Sequence, residues 1–250
     1  MPWWPTPCAP AALQPPESLR MARQARVSVP HLPHLLSQSG HNGAVVFIDD
    51  EDRQRYLHAL LEVSRPLKVA IHGYCLRPER IDLLATPPEP QALSLMMQAL
   101  GRRYVGYFNQ RHGRSGTLWE GRFRSCVVEP GEPLLHAMRW LDLAAWHTGL
   151  APDLLDPPWS STAHHLGAHR DALITDPPAF WALGNTPFER ELSYRRQLEQ
   201  EPPPEEFDAL VRCLRSGHAF GSAAFIERMQ KVTGLSLQAR RRGRPVRTDA

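Results

Sequence analysis

The chain has 250 residues, of which 42% are hydrophobic and 22% charged, and its net charge is +3. This composition is close to the globular average and excludes a wholly disordered or fibrous protein, while the length is enough for one domain with extensions. No apolar run approaches the roughly 18 to 20 residues of a membrane span. The proline-rich first twenty residues lack the pattern of a signal peptide, so we expect a protein of the cytoplasm, including the nucleoid.

The composition changes along the chain and predicts five parts. These are a disordered leader over 1–20, an α+β domain over 21–150, a loop-rich extension and linker over 151–204, a helical segment over 205–235 and a basic tail over 236–250. The four cysteines are scattered without a CxxC pair, so we expect buried thiols and neither a zinc module nor a disulfide framework.

Strand and helix patterns alternate in the α+β domain. In chain order the predicted elements are a strand over 33–39, a helix capped by Asp49 or Asp50, a hairpin of 68–76 and 80–86, a helix through Leu93 to Phe108, a strand over 122–129 and a helix over 132–147. This order predicts a small antiparallel sheet packed by helices on one side, a ferredoxin-like α+β sandwich.

Basic and aromatic residues are interleaved between positions 102 and 124, where the only acid is Glu120. Guanidinium groups bind phosphates and aromatic rings stack on unpaired bases, so this segment is predicted to bind hairpin or single-stranded nucleic acid. The predicted contacts are Arg102, Arg103, Tyr107, Arg111, Arg114, Trp119, Arg122 and Arg124, with Phe123 as a further stacking candidate. The alternative is a solvated helix face that covers core aromatics.

A second basic segment lies at the end of the chain. Here Arg242, Gly243, Arg244 and Pro245 form a Gly-Arg-Pro core flanked by arginines. It resembles the AT-hook peptides, which lie as an extended ribbon in an A·T-rich minor groove. The alternative is a solvated basic tail.

Several segments in chain order carry a family resemblance. They are Met21-Ala22-Arg23, Phe47-Ile48-Asp49-Asp50-Glu51-Asp52-Arg53, His72-Gly73-Tyr74-Cys75-Leu76-Arg77-Pro78, Tyr107 to Gly116, Leu118 to Phe123 and Pro158-Trp159-Ser160-Ser161. Together they resemble the REP-associated tyrosine transposases, a branch of the single-tyrosine HUH transposases. The resemblance implies a ferredoxin-like catalytic fold, usually dimeric, that recognises a DNA hairpin and cuts single-stranded DNA beside it.

The resemblance also implies four catalytic positions, and this chain departs from the family at all of them. The family places two histidines one residue apart on a strand to hold a divalent metal, a tyrosine nucleophile on the last helix and a polar residue one turn later. Arg80 and Asp82 occupy the histidine positions, Trp140 the tyrosine position and Ala144 the last. Arginine repels a metal, and neither tryptophan nor alanine offers an oxygen nucleophile or ligand.

The first hypothesis is therefore a transposase-derived protein that binds DNA without cutting it, with no catalytic residue and no cofactor. The second is a working nuclease whose site is rebuilt from Glu79, Asp82 and Asp142 around Mg²⁺ or Mn²⁺, with Tyr104 or Tyr107 as nucleophile. Against the second stands a simpler interpretation, an ion pair between Arg80 and Asp82 on one strand face.

Two further alternatives remain. Histidines at 164, 165 and 169, and at 31 and 34, have loosely ligand-like spacings but no cysteine partner. A decaying gene product that folds without a specific activity is the third hypothesis for the whole chain.

Overall fold

We describe a computed structural model of the protein over residues 26–147, 159–200 and 204–237. The predicted leader, the Met21 segment, Pro158 of the Pro158-Trp159 motif and the arginine tail at 242–245 lie outside the described residues.

The centre of the molecule is a four-stranded antiparallel sheet. Its strands are β1 (His34–Ser39), β2 (Ala70–Arg77), β3 (Arg80–Thr86) and β4 (Arg124–Val127), in the spatial order β2-β3-β1-β4. The predicted hairpin, first strand and last strand are confirmed, the last one shorter than predicted. Strands adjacent in the sheet are thus not all adjacent in sequence, as expected for a ferredoxin-like α+β fold.

Two helices pack on one face of the sheet. Helix α1 (Asp50–Ser64) begins at Asp49, whose side chain accepts the backbone N–H of Asp52, and helix α2 (Ala92–Arg111) follows β3. Both helices present apolar residues at helical spacing, and these meet alternate residues of the strands, such as Leu36, Leu83 and Ala85.

The opposite face is also covered, so the prediction of helices on one side only is wrong. Helix α3 (Glu132–His147) packs there on β2 and β3, together with α6 (Pro187–Glu199) and α7 (Pro204–Ser216). The strand residues between those of the first core, including Leu35 and Leu84, point to this second core. A sheet that is buried on both faces needs apolar residues at both the even and the odd positions of its strands, and these strands have them.

The extension after residue 158 is more ordered than its composition predicts. It contains two short helices, α4 (Thr162–His165) and α5 (Pro178–Trp181), and then α6, which begins with a capping box of Thr186 and Glu189. The predicted loop and linker of 151–204 thus include a thirteen-residue helix. The helical segment 205–235 is two helices, α7 and α8 (Ala223–Thr233), because Gly217 has a positive φ and Ser222 caps a new helix.

The extension also covers the outer edge of β2. The Leu76 amide on β2 donates to the Trp159 carbonyl, and the Ser161 amide donates back to the Tyr74 carbonyl on β2. Further along this edge, the Thr175 amide donates to the Ile71 carbonyl. Gly73 permits this close packing, because a Cβ there would lie 2.9 Å from the Leu141 side chain and 3.0 Å from Ser161 Oγ. An otherwise open sheet edge is thereby protected from pairing with another chain.

No helix within the described ranges is long and apolar enough to cross a membrane. Cys75 and Cys126 are buried thiols, as predicted, and Cys213 is half-buried.

The core of α2 gives a test of this packing. Leu100 is 1% exposed and Leu95, on the same helix, is 46% exposed. We expect Leu100→Ala to lower the free energy of unfolding by about 2–5 kcal/mol, because it removes buried methyl groups and leaves a cavity. Leu95→Ala is the matched control, with a change within about 0.5 kcal/mol. Urea unfolding measures both, and equal effects would contradict the described orientation of α2.

Candidate functional site

The positions implied for metal binding hold an ion-paired cluster. Arg80 and Asp82 lie on the face of β3 that meets α3, and Arg80 Nη2 is 2.8 Å from Asp82 Oδ1. Arg77, opposite Arg80 on β2, donates to Asp82 Oδ2 at 2.6 Å. The predicted ion pair between Arg80 and Asp82 is confirmed, and Arg77 is a partner that the sequence did not indicate. Asp82 is fully buried, and each of its oxygens accepts from a guanidinium.

The two helix positions lie on α3, which packs on this face of the sheet. The Arg80 guanidinium carbon lies 5.8 Å from the centre of the Trp140 ring, a cation–π contact. Ala144 is buried in the second core one turn further along α3. The four positions therefore lie in one region of the fold, where arginine, aspartate, tryptophan and alanine fill the space with ion-paired and apolar groups.

The alternative carboxylate site is not assembled in this arrangement. Asp82 is occupied by arginines, and Asp142 accepts from His165, Tyr194 and Ser161. Over the ranges 26–147, 159–200 and 204–237, no three His, Cys, Asp or Glu side chains form a group that could hold a metal ion. Glu79, Asp82 and Asp142 are therefore not brought together as ligands.

The two tyrosines considered as replacement nucleophiles are also engaged. The Tyr104 hydroxyl is buried and donates to the Val46 carbonyl at 2.6 Å, and burial raises the pKa of Tyr104, which disfavours the phenolate. Tyr107 is half-buried with its hydroxyl 3.5 Å from a Glu51 carboxylate oxygen. Burial together with the neighbouring Asp52 and Glu51 carboxylates raises the pKa of Tyr107 as well, although Arg111 opposes the shift.

A buried polar network joins α3 to the extension, and the sequence did not indicate it. Asp142 Oδ2 accepts from His165 Nδ1 and from the Tyr194 hydroxyl, both at 2.7 Å, and Oδ1 accepts from Ser161 Oγ at 3.0 Å. His165 Nε2 is 2.9 Å from the His72 carbonyl oxygen. Both ring nitrogens of His165 thus face acceptors, and only the doubly protonated ring donates to both.

This geometry accounts for the protonation of His165. Burial alone lowers the pKa of His165, but the charge and hydrogen bond of Asp142 outweigh it, so the pKa is raised. His164 pairs instead with Asp176 at 3.3 Å. His164 and His165 therefore contact two different carboxylates, those of Asp176 and Asp142, and do not converge on one site.

Several predicted DNA contacts on α2 are neutralised by acids. Arg111 reaches Asp49, Glu51 and Asp52 with contacts of 2.7–2.8 Å, and Arg103 pairs with Glu62 at 2.7 Å. These acids lie on α1 and its cap, so a sequence window around 102–124 does not contain them. Arg102 and Arg114 are exposed, and Arg114 lies over the Phe108 ring.

The predicted stacking residue Trp119 is a core residue. It is 7% exposed and packs against Tyr56 and Tyr104. Phe123 is also buried, and the guanidinium of Arg26 covers its ring. The alternative of core aromatics is therefore correct for both residues, and neither ring is available for a base.

Arg122 and Arg124 remain as exposed arginines beside the outer edge of β4. The fold brings two further arginines to them, Arg26 from the chain before β1 and Arg215 from the end of α7. The four line one groove, which we call the β4 groove. Arg26 and Arg215 are about a hundred residues from the predicted segment, and no local pattern indicates them.

The buried carboxylate of Asp82 gives the second prediction. We expect Asp82→Ala to lower the free energy of unfolding by about 3–5 kcal/mol, because two arginines lose the carboxylate that neutralises them in a largely buried site. Glu79→Ala is the control, since Glu79 is half-buried, and it should change stability by less than about 1 kcal/mol. Chemical unfolding measures both variants, and an Asp82→Ala variant as stable as the control would refute the cluster.

The raised pKa of His165 gives a pH dependence. A histidine whose pKa is higher in the folded state stabilises the protein below its unfolded pKa of about 6.5 and loses this effect as pH rises through the folded value. We therefore expect the stability difference between the native protein and His165→Gln to be largest near pH 6 and to shrink towards pH 9. Urea unfolding at several pH values measures it, and a difference independent of pH would contradict a charged His165.

Comparisons with known proteins give a match at the level of structure. No protein-family model matches the sequence, and no curated protein matches it. A solved REP-associated tyrosine transposase, bound to a REP hairpin, superposes with a TM-score of 0.51 at 16% identity, over 64% of this chain and 93% of the other. A proposed transposase from Deinococcus radiodurans R1 matches at a TM-score of 0.35 and 18% identity, over 52% of this chain and 99% of the other. The sheet order, the helices on it and the first of these superpositions agree that this chain has the α+β fold of the REP-associated tyrosine transposases.

Proposed function

We propose that this protein is a transposase-like DNA-binding protein that binds hairpin or single-stranded DNA and does not cut it. The observation that carries the proposal is the buried cluster of Arg77, Asp82 and Arg80, on a fold shared with a transposase that was solved bound to a REP hairpin. The proposal includes a cytoplasmic or nucleoid location and, from the family resemblance, a homodimer.

The chemistry of the Arg77–Asp82–Arg80 cluster supports the proposed absence of cutting. A divalent cation placed there would face two guanidiniums, which stay protonated at any physiological pH. Asp82 cannot approach such a cation without leaving both arginines unpaired in a largely buried site. Trp140 supplies no oxygen to attack a phosphate, so the step that forms a phosphotyrosine has no nucleophile at this position.

Binding does not depend on these groups. Phosphate contacts require accessible cations, and these lie elsewhere on the molecule. Arg122 and Arg124 are exposed, and no ion pair with an acid is found for either within the described parts of the chain. Loss of the catalytic groups therefore leaves the electrostatic surface for DNA in place.

A single experiment tests binding and cutting together. The purified protein is incubated with an end-labelled single-stranded hairpin oligonucleotide, with EDTA, Mg²⁺ or Mn²⁺, and each sample is run on native and denaturing gels. We expect retardation on the native gel under all three conditions, since guanidinium–phosphate contacts need no metal. On the denaturing gel we expect full-length DNA and no covalent protein–DNA adduct.

Two outcomes would overturn the proposal. Metal-dependent nicking or an adduct, lost in Tyr104→Phe or Tyr107→Phe, would establish the rebuilt nuclease. Absence of retardation at low salt, with both the hairpin and an unstructured strand of equal length, would remove the DNA-binding function and favour the third hypothesis. Retardation of the hairpin at a concentration that leaves the unstructured strand free would identify the hairpin as the ligand.

A further inference from the structure

The β4 groove lies where three separate parts of the chain meet. One wall is the segment from Gly121 to Ser125, another is the end of α7 from Leu214 to Gly217, and the rest comes from Arg26, Val27, Leu235 and Leu237. Its volume is about 440 Å³, within the usual range of ligand clefts. The groove is open to solvent, so an extended ligand can enter it.

The charge of this groove is strongly one-sided. Arg26, Arg122, Arg124 and Arg215 line it, and Glu120 is its one acidic lining residue. By contrast, the arginines Arg103 and Arg111 of α2 are paired with acids. The groove therefore brings together four arginines for which no ion pair with an acid is found within the described parts of the chain.

Contacts with neighbouring groups hold two of these arginines in place. The Arg26 guanidinium lies 3.8 Å from the centre of the Phe123 ring, and its Nε donates to the Phe123 carbonyl at 3.1 Å. Arg124 Nη1 donates to the Arg215 carbonyl at 3.3 Å. Each contact uses only part of the donor fork of its guanidinium, so N–H groups remain for a ligand. Side chains already held in place lose less entropy when they bind.

Among the described residues, Glu120 is the one carboxylate that lines the groove, against four arginines. Arg26 and Arg122 line the same groove, and burial, followed by the positive charge of Arg122, lowers the pKa of Arg26, as expected where like charges repel. An anion bound between them would relieve this repulsion. A phosphate oxygen suits the purpose, because guanidinium forks match phosphate geometry.

The backbone of β4 adds to this arrangement. The Val128 amide donates to the Pro33 carbonyl, so the backbone groups of Val128 point towards β1. Successive residues of a strand point their N–H and C=O to alternate sides, and Ser125 is three residues before Val128. The N–H and C=O of Ser125 therefore point away from β1. That side is the groove, and Ser125 lines it.

We propose that the β4 groove is the site that binds the phosphodiester backbone of DNA, with Arg26, Arg122, Arg124 and Arg215 as the phosphate contacts. This inference rests on the proposed function and assigns it to one surface. It moves the binding site from the face of α2, where the sequence predicted most contacts, to the outer edge of β4.

The test compares two charge-matched double variants. R122Q/R124Q removes two groove arginines, and R102Q/R103Q removes two arginines of α2 with the same change in net charge. Binding to a labelled hairpin and to an unstructured strand is measured by fluorescence anisotropy between 50 and 300 mM NaCl, roughly the range over which phosphate contacts respond to salt. Thermal unfolding confirms that each variant is folded.

We expect R122Q/R124Q to weaken binding about a hundredfold or more at low salt, because two charge-assisted bonds are lost and each changes the binding constant by about tenfold or more. The slope of log K against log[NaCl] should fall by about 1.4 for the single strand, since each contact contributes about 0.7. R102Q/R103Q should stay within about threefold of the native protein.

Equal weakening by both variants, or no effect of R122Q/R124Q, would overturn the assignment while the native protein still binds DNA. Failure of the native protein to bind would instead overturn the proposed function itself, so the two failures are distinct. R215Q provides a second, independent variant. Because its arginine lies on α7 and not on the strand, it tests the groove even if R122Q/R124Q is unfolded.

Discussion

The buried carboxylate of Asp142 holds the second half of the molecule to the sheet. It lies on α3, and its three hydrogen-bond partners come from the turn before α4, from α4 and from α6. His165 carries the connection onward to the carbonyl of His72 on β2. A buried charge of this kind is costly unless every oxygen is satisfied, so the extension must fold against α3 in one arrangement. That arrangement covers the edge of the sheet at β2. The β4 groove lies at the opposite edge of the sheet, beside β4.

Arginine has three different roles in this structure, and its surroundings decide which. Arg77 and Arg80 share a buried carboxylate and fill a pocket. Arg111 is surrounded by the acids at the start of α1 and fastens two helices together. Arg122 and Arg124 face the groove without a carboxylate partner among the described residues. The number of arginines in a segment therefore says little about DNA binding, because pairing across the fold removes some of them from the surface.

The separation of the two sites is consistent with a protein that has lost one activity and kept another. The pocket at the family's catalytic positions is closed by ion pairs and by the Trp140 ring, whereas the groove is built from different elements. Substitutions in the pocket need not disturb phosphate contacts at the groove, because no residue belongs to both. The proposed function, binding of DNA without cleavage, requires a separation of this kind.

The sequence by itself determined the α+β class and most element boundaries between residues 33 and 147, and its family resemblance predicted a departure from catalytic chemistry at Arg80, Asp82, Trp140 and Ala144. These depend on local periodicity, capping and residue chemistry, which act over a few neighbours in the chain. Only the tertiary structure decided that helices cover both faces of the sheet, that Trp119 is buried, that Arg111 is neutralised and that Arg26 and Arg215 join Arg122 and Arg124. Each of these depends on contacts between residues about 60 to 100 positions apart, and no local pattern encodes which distant charges or rings will meet.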